Sequence, residues 1–187
     1  MCAAVSAGVQ ILVQLGQQSD DERLRRALDL QRWLQAAGVI ERVQVDADIE
    51  VWTPGSLWRS AVDVSADYPF EVEVRDNTVE VSAEIEVYSA LGNAEDATCV
   101  RCGTPFHAGD RLADLLERWV SDGEPAVTCA RCGWTALLGD WPTDNPVAVA
   151  GAPAVVFTNW PPLRDTFVAT VTERLGGGRC RYVRQRL

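Results

Sequence analysis

The stretch VQILVQLGQQSDDERLRRALDLQRWLQAAGVIERVQVDADIEVW, residues 9–52, sets the fold class. Its first seven residues, Val9 to Leu15, are mostly apolar and read as a strand. Ser19, three residues before Glu22, supplies a capping box, and the acidic Asp20, Asp21 and Glu22 suit the positive end of a helix dipole. The helix is expected to run to about Ala37, with Leu24, Ala27, Leu28 and Leu34 on one side and Leu30, Trp33 and Ala37 widening the apolar face; Gly38 ends it. From Val43 to Trp52 the periodicity becomes two. Val43, Val45, Ala47, Ile49 and Val51 alternate with Gln44, Asp46, Asp48 and Glu50, giving a strand with one apolar and one acidic face.

Outward from this unit, Phe70–Arg75 and Thr78–Val87 read as a hairpin turning at Asp76 and Asn77, with Glu71, Glu73, Glu80, Glu84 and Glu86 facing away from the core. A strand is expected at Ala154–Thr158, a helix at Asp165–Leu175 closed by Gly176–Gly178, and a last strand at Arg179–Gln185. The order strand–helix–strand, hairpin, insert, strand–helix–strand resembles a ferredoxin-like α+β sandwich, with helices on one side of an antiparallel or mixed sheet. On this reading residues 1–97 and 140–187 form one α+β domain and residues 98–139 an insert.

A chain of 187 residues, 47% hydrophobic and 24% charged, with seven Trp, belongs to the globular class. No apolar run is long enough to cross a bilayer, and Met1–Val5 lack a basic leader segment, so a soluble, cytoplasmic protein is expected. All basic residues are Arg, which is read as the codon bias of a GC-rich genome. The net charge of −10 argues against a nucleic-acid backbone as main partner. Glu41–Thr98 holds fourteen acidic residues against three Arg, whereas the segment from Asn159 onward holds six Arg against two acids.

The strongest motif is a near-repeat: Thr98-Cys99-Val100-Arg101-Cys102-Gly103 and Thr128-Cys129-Ala130-Arg131-Cys132-Gly133. Two residues between cysteines let one tight turn aim both sulfurs at one ion, and zinc takes four soft ligands in a tetrahedron. The following glycine allows the positive φ that turns backbone N–H groups toward the thiolates. The halves resemble zinc knuckles, and residues 98–134 resemble a zinc ribbon. The resemblance implies a structural Zn2+ on Cys99, Cys102, Cys129 and Cys132. The linker Gly103–Thr128 exceeds the usual 15 to 20 residues or so; a helix at Arg111–Val120 accounts for the excess. A redox pair needs a low-pKa thiolate at a helix N-terminus, which two Gly-terminated pairs fit poorly. His107, the only histidine, is expected to be a polar loop residue rather than a ligand, and Cys2 and Cys180 to be free thiols. The near-neutral balance of residues 99–133 is unlike a nucleic-acid-binding ribbon.

If the three strands share a sheet, Asp46, Asp48, Glu50, Glu71, Glu73, Glu80, Glu84 and Glu86 crowd one face. Three readings stay open: a docking face for a basic protein, a solvated face that blocks edge-to-edge aggregation, or a surface neutralised internally by Arg179, Arg181, Arg184 and Arg186. One or two of the tryptophans are expected at an interface. No P-loop, G-x-S-x-G, H-E-x-x-H or G-x-G-x-x-G after a strand is present, which disfavours an enzyme. Size, acidity and Arg-only composition resemble bacterial immunity proteins that neutralise nuclease toxins and accessory proteins of actinobacterial conflict loci. That resemblance implies a non-catalytic binding module whose basic partner is a toxin. The alternative is a zinc-ribbon regulator or accessory subunit acting with nucleic acid.

Overall fold

In the computed structural model, residues 8–46, 49–64, 77–107 and 109–186 are described. The chain runs β1 (Gly8–Gln14), α1 (Asp20–Ala36), β2 (Ile40–Asp46), β3 (Ile49–Pro54), β4 (Thr78–Ser82), β5 (Glu86–Ser89), β6 (Ala97–Thr98), β7 (Pro105–Phe106), α2 (Leu112–Asp122), β8 (Ala126–Thr128), β9 (Thr135–Leu137), β10 (Ala148–Gly151), β11 (Ala154–Thr158), α3 (Asp165–Leu175) and β12 (Cys180–Arg186). Six strands form one antiparallel sheet in the order β12-β1-β11-β4-β3-β2. Among the described residues there are also three two-stranded sheets: β10-β5, β6-β7 and β8-β9.

Alternation along β1 explains the layering. Leu12 points to the face carrying α1 and α3, where it joins Leu30, Leu34, Val155, Phe157, Phe167, Val171 and Leu175. Ile11 and Val13 point to the other face, where Tyr88, Val149, Ala150 and Trp119 cover them. The β12-β1-β11 part of the sheet is therefore clothed on both sides, by helices on one and by β5, β10 and α2 on the other. The expected arrangement with helices alone, on a single side, is corrected here. Its physical reason lies in β1, which has buried residues on both faces and so needs two covering layers.

The α1 cap forms as expected, Ser19 Oγ accepting from the Glu22 N–H at 3.3 Å. Glu22 does not reach back to complete a capping box. Its carboxylate accepts from Arg25 and from Arg26 instead, and these two contacts hold it below its usual pKa. The buried face of α1 is Ala27, Leu30 and Leu34, while Leu24 and Leu28 are exposed, so the apolar stripe lies about one position around the helix from where periodicity put it.

The strand expected over Thr78–Val87 is two strands. Residues 83–85 break it, β4 pairs with β11, and β5 crosses to pair with β10 in the second layer. The partner half of the expected hairpin, Phe70–Arg75, lies outside the described residues. β10 falls in a Pro- and Ala-rich stretch that gave no strand signal.

Buried Gln10 pins the Trp160-Pro161-Pro162-Leu163 turn against β1. Its amide donates to the carbonyls of Trp160 and Pro161 at 3.0 and 2.9 Å, and its Oε1 accepts from the Leu163 N–H at 3.0 Å and from the Tyr182 hydroxyl. Gln10→Leu leaves three buried backbone groups and the partly buried Tyr182 hydroxyl without this partner and is expected to lower unfolding free energy by about 2–3 kcal/mol. Chemical denaturation at constant m-value reads it; a loss under half a kcal/mol would show that the network adds nothing.

Arg179, just before β12, and the β12 residues Arg181 and Arg184 make contacts with residues 124–145. Arg179 pairs with Glu124 and Asp140, Arg181 donates to the Gly139 carbonyl, and Arg184 reaches the Asp144 carbonyl. These contacts tie the 124–145 region to the sheet and make a clamp on the cysteine-bearing half of the chain. The outer edge of β12 is closed by Asn145, whose side chain accepts from the Arg184 N–H at 2.9 Å and donates to its carbonyl at 2.8 Å, taking the place of a neighbouring strand.

Candidate metal centre

Each knuckle is a short hairpin built by the same local rule. In the first, β6 and β7 pair Thr98 with Pro105, the Cys99 N–H donates to the Thr104 carbonyl and the Gly103 N–H donates to the Cys99 carbonyl. In the second, Thr128 pairs with Thr135, the Cys129 N–H donates to Trp134 and the Gly133 N–H to Cys129. Gly103 and Gly133 have φ of +67° and +72°, the left-handed conformation that a Cβ disfavours and that closes both turns. The near-repeat of sequence is thus a repeat of backbone geometry.

The two knuckles face each other. Cys99 Sγ lies 3.6 Å from Cys132 Sγ, Cys102 Sγ lies 3.7 Å from Cys129 Sγ, and all four sulfurs fall within 4.8 Å of one another. Four thiolates at about 2.3 Å around a tetrahedral zinc would sit roughly 3.8 Å apart. The donor set and spacing therefore fit a metal ion and are compatible with zinc. A disulfide would require about 2.05 Å between sulfurs, and none of these pairs approaches it.

The surroundings favour thiolate at Cys102 and Cys129. Thr104 Oγ1, 3.2 Å from Cys102 Sγ, together with the Thr104 backbone N–H, brings the Cys102 thiol down to about 6. The backbone N–H groups of Cys132 and Arg131 likewise lower Cys129. At Cys132 the Trp134 N–H also favours thiolate, but desolvation and the three neighbouring sulfurs outweigh it and push the thiol up to about 11. Four sulfurs this close resist ionising together unless a cation sits among them.

Beneath the sulfurs lies a small core of its own. Cys99 and Cys129 are buried with Leu115 of α2, Val127 and Trp141, and the Trp141 ring meets Phe106 and Trp134 at 5.0 Å each. Helix α2, expected at Arg111–Val120, links this core to the sheet by directing Leu115 into it and Trp119 into the layer over β1. His107 is exposed and pairs with Asp96 at 3.4 Å, away from the sulfurs. Cys180 is partly buried, with its thiol donating to Gln14 Oε1 at 3.0 Å and pushed up to about 11 by desolvation. Cys2 lies outside the described residues.

The acidic candidates are dispersed. Asp48, Glu71 and Glu73 lie outside the described residues, and Asp46 and Glu50 are placed by backbone alone, on β2 and β3. Glu80 is on β4, Glu84 in the following turn, and Glu86 on β5 of another sheet, so these three do not share one sheet face. They remain neighbours: the Ser82 hydroxyl donates to Glu86 at 2.8 Å, and burial, with Glu86 and Glu80 nearby, raises the Tyr88 phenol far above its usual range. Sequence reading missed Ile85 and Val87 as exposed residues, 37% and 47% accessible, because strict alternation assigned them to the core. All seven tryptophans are at least partly buried. No helix among the described residues is long and apolar enough to cross a membrane. No family model, no curated protein and no solved structure matches the chain.

Proposed function

We propose that the protein is a non-catalytic binding module, built on a ferredoxin-like frame, in which a structural zinc on Cys99, Cys102, Cys129 and Cys132 folds residues 98–139 and an acidic patch receives a basic protein. The observation that carries the docking reading is the exposed run Glu84-Ile85-Glu86-Val87 with Glu80 beside it. A merely solvated surface has no use for two exposed aliphatic side chains between carboxylates. An interface does, since apolar contacts supply affinity while charge supplies approach rate and selectivity. The strand order β12-β1-β11-β4, with α1 and α3 on one face, supports the ferredoxin-like frame, extended by β3 and β2. Four thiolates fill a tetrahedral zinc and leave no position for substrate, which favours a structural over a catalytic ion. Free thiols in such a site fit the reducing cytoplasm. An inhibitor or immunity partner of a basic toxin is the role these features suit.

The test compares the zinc-loaded protein with a Glu80→Lys, Glu84→Lys, Glu86→Lys variant in pull-downs from host lysate. Retention of a basic protein that the variant releases, by at least roughly tenfold, supports docking through this patch. Equal retention by both proteins removes it, and recovery of nucleic acid in a salt-sensitive manner would replace it with the nucleic-acid reading.

A further inference from the structure

A cleft of about 280 Å³ opens between the first knuckle and β10. Its size falls just under the range of small-ligand sites, roughly 300 to 1,000 Å³, and suits a small molecule. Phe106, Leu112, Leu138, Trp141 and Val149 make its walls largely apolar. Its charged groups lie at two depths. Arg181 of β12 is partly buried and spends Nε and Nη2 on the Gly139 carbonyl, with no carboxylate partner among the described residues. Glu95 and Asp96 are exposed at the mouth, Asp96 beside His107.

We infer that this cleft binds a small zwitterion with an apolar group, the simplest being an α-amino acid with a branched or aromatic side chain. Its carboxylate meets the inner guanidinium, its ammonium the outer carboxylates, and its side chain the walls. A plain acid would leave the mouth carboxylates facing an anion, and a plain amine would leave Arg181 without a counter-charge, whereas a molecule carrying both signs meets Arg181 at one end and the Glu95 side of the mouth at the other. The cleft is independent of the acidic docking patch, and either site stands without the other.

The test titrates the zinc-loaded full chain by calorimetry with leucine and phenylalanine, and with the amine and the carboxylic acid that lack one charged group of each. The expected result is saturable binding of the amino acids at least roughly tenfold tighter than of either half-molecule. Val147→Trp, at an exposed position on the cleft wall, should abolish binding without disturbing the core. Arg181→Gln should remove the preference over the amine, and Glu95→Gln, on the exposed rim, weakens the preference over the acid even where the Arg181 variant proves unstable. Equal affinity for all three ligand types, absence of saturable binding, or binding that survives Val147→Trp overturns the proposal.

Discussion

Cys129→Ser is expected to abolish stoichiometric metal binding and to unfold the paired knuckles while the six-stranded sheet persists. Cys129 is buried, and its sulfur lies across from Cys102 in the four-sulfur cluster. A serine hydroxyl is a poor zinc ligand at neutral pH, and three remaining thiolates crowd one another without a compensating charge. The core under the cluster is small, with Leu115, Val127 and Trp141 its buried members besides two of the cysteines themselves. So little apolar area cannot offset the ordering of some forty residues, and an ion held by the four sulfurs would supply the difference, an apparent free energy on the order of 10 kcal/mol in small zinc modules. The helix-side core of Leu12, Leu34, Phe157 and Val171 is a separate cluster and should survive. Limited proteolysis checks this directly: cleavage should concentrate between β6 and Trp141, and a chelator acting on the wild-type chain should reproduce the pattern. Uniform resistance in the variant would show that the knuckles stand without metal.

Glu124→Ala should be the most damaging single change outside the cysteines. The Glu124 side chain is 4% exposed, and its carboxylate receives both terminal nitrogens of Arg179 at 2.6 and 2.7 Å and the Gly139 N–H at 2.7 Å. The Glu124 and Asp140 contacts hold the Arg179 guanidinium above its usual range. Removing one partner strands a half-buried cation and a buried N–H, a loss of about 3 kcal/mol or more, with Asp140 keeping a single bond to Arg179 Nε at 2.7 Å. Glu124→Gln retains an acceptor and should lose less. In the double variant with Arg179→Ala the loss should fall well short of the sum, because neither group is then left uncompensated. Thermal unfolding of the four proteins measures the coupling, and simple additivity would show that the pair does not clamp the cysteine-bearing half to the start of β12.

Local signals made much of this legible in the sequence. The Ser19 cap, the Gly38 stop, the strand at Ala154–Thr158 and the helix at Asp165–Leu175 each carry their own turn or capping chemistry, and their boundaries fall at or within a residue of expectation. The four cysteines were legible for the same reason, since C-x-x-C-G specifies a turn regardless of what surrounds it. What escaped depends on distant pairing. β10 (Ala148–Gly151) forms because β5 arrives beside it, and its alanines and glycine have no intrinsic preference that announces a strand. The break at residues 83–85 is hidden in an unbroken alternation from Val79 to Val87, in which Ile85 and Val87 look like core positions but fall on an exposed stretch. Arg179 and Glu124, 55 positions apart, gave no pattern at all. The sharing of one face by the acidic residues rested on a single sheet, and Glu86 lies in a different one.

The most direct measurement is metal analysis of the protein purified without added zinc or chelator, joined to X-ray absorption at the zinc edge. The expected result is one zinc per chain, bound by four sulfurs at about 2.3 Å with no nitrogen or oxygen donor. A chain without stoichiometric metal, or an ion held by lighter ligands, would contradict the tetrathiolate centre and the fold of residues 98–139 that depends on it.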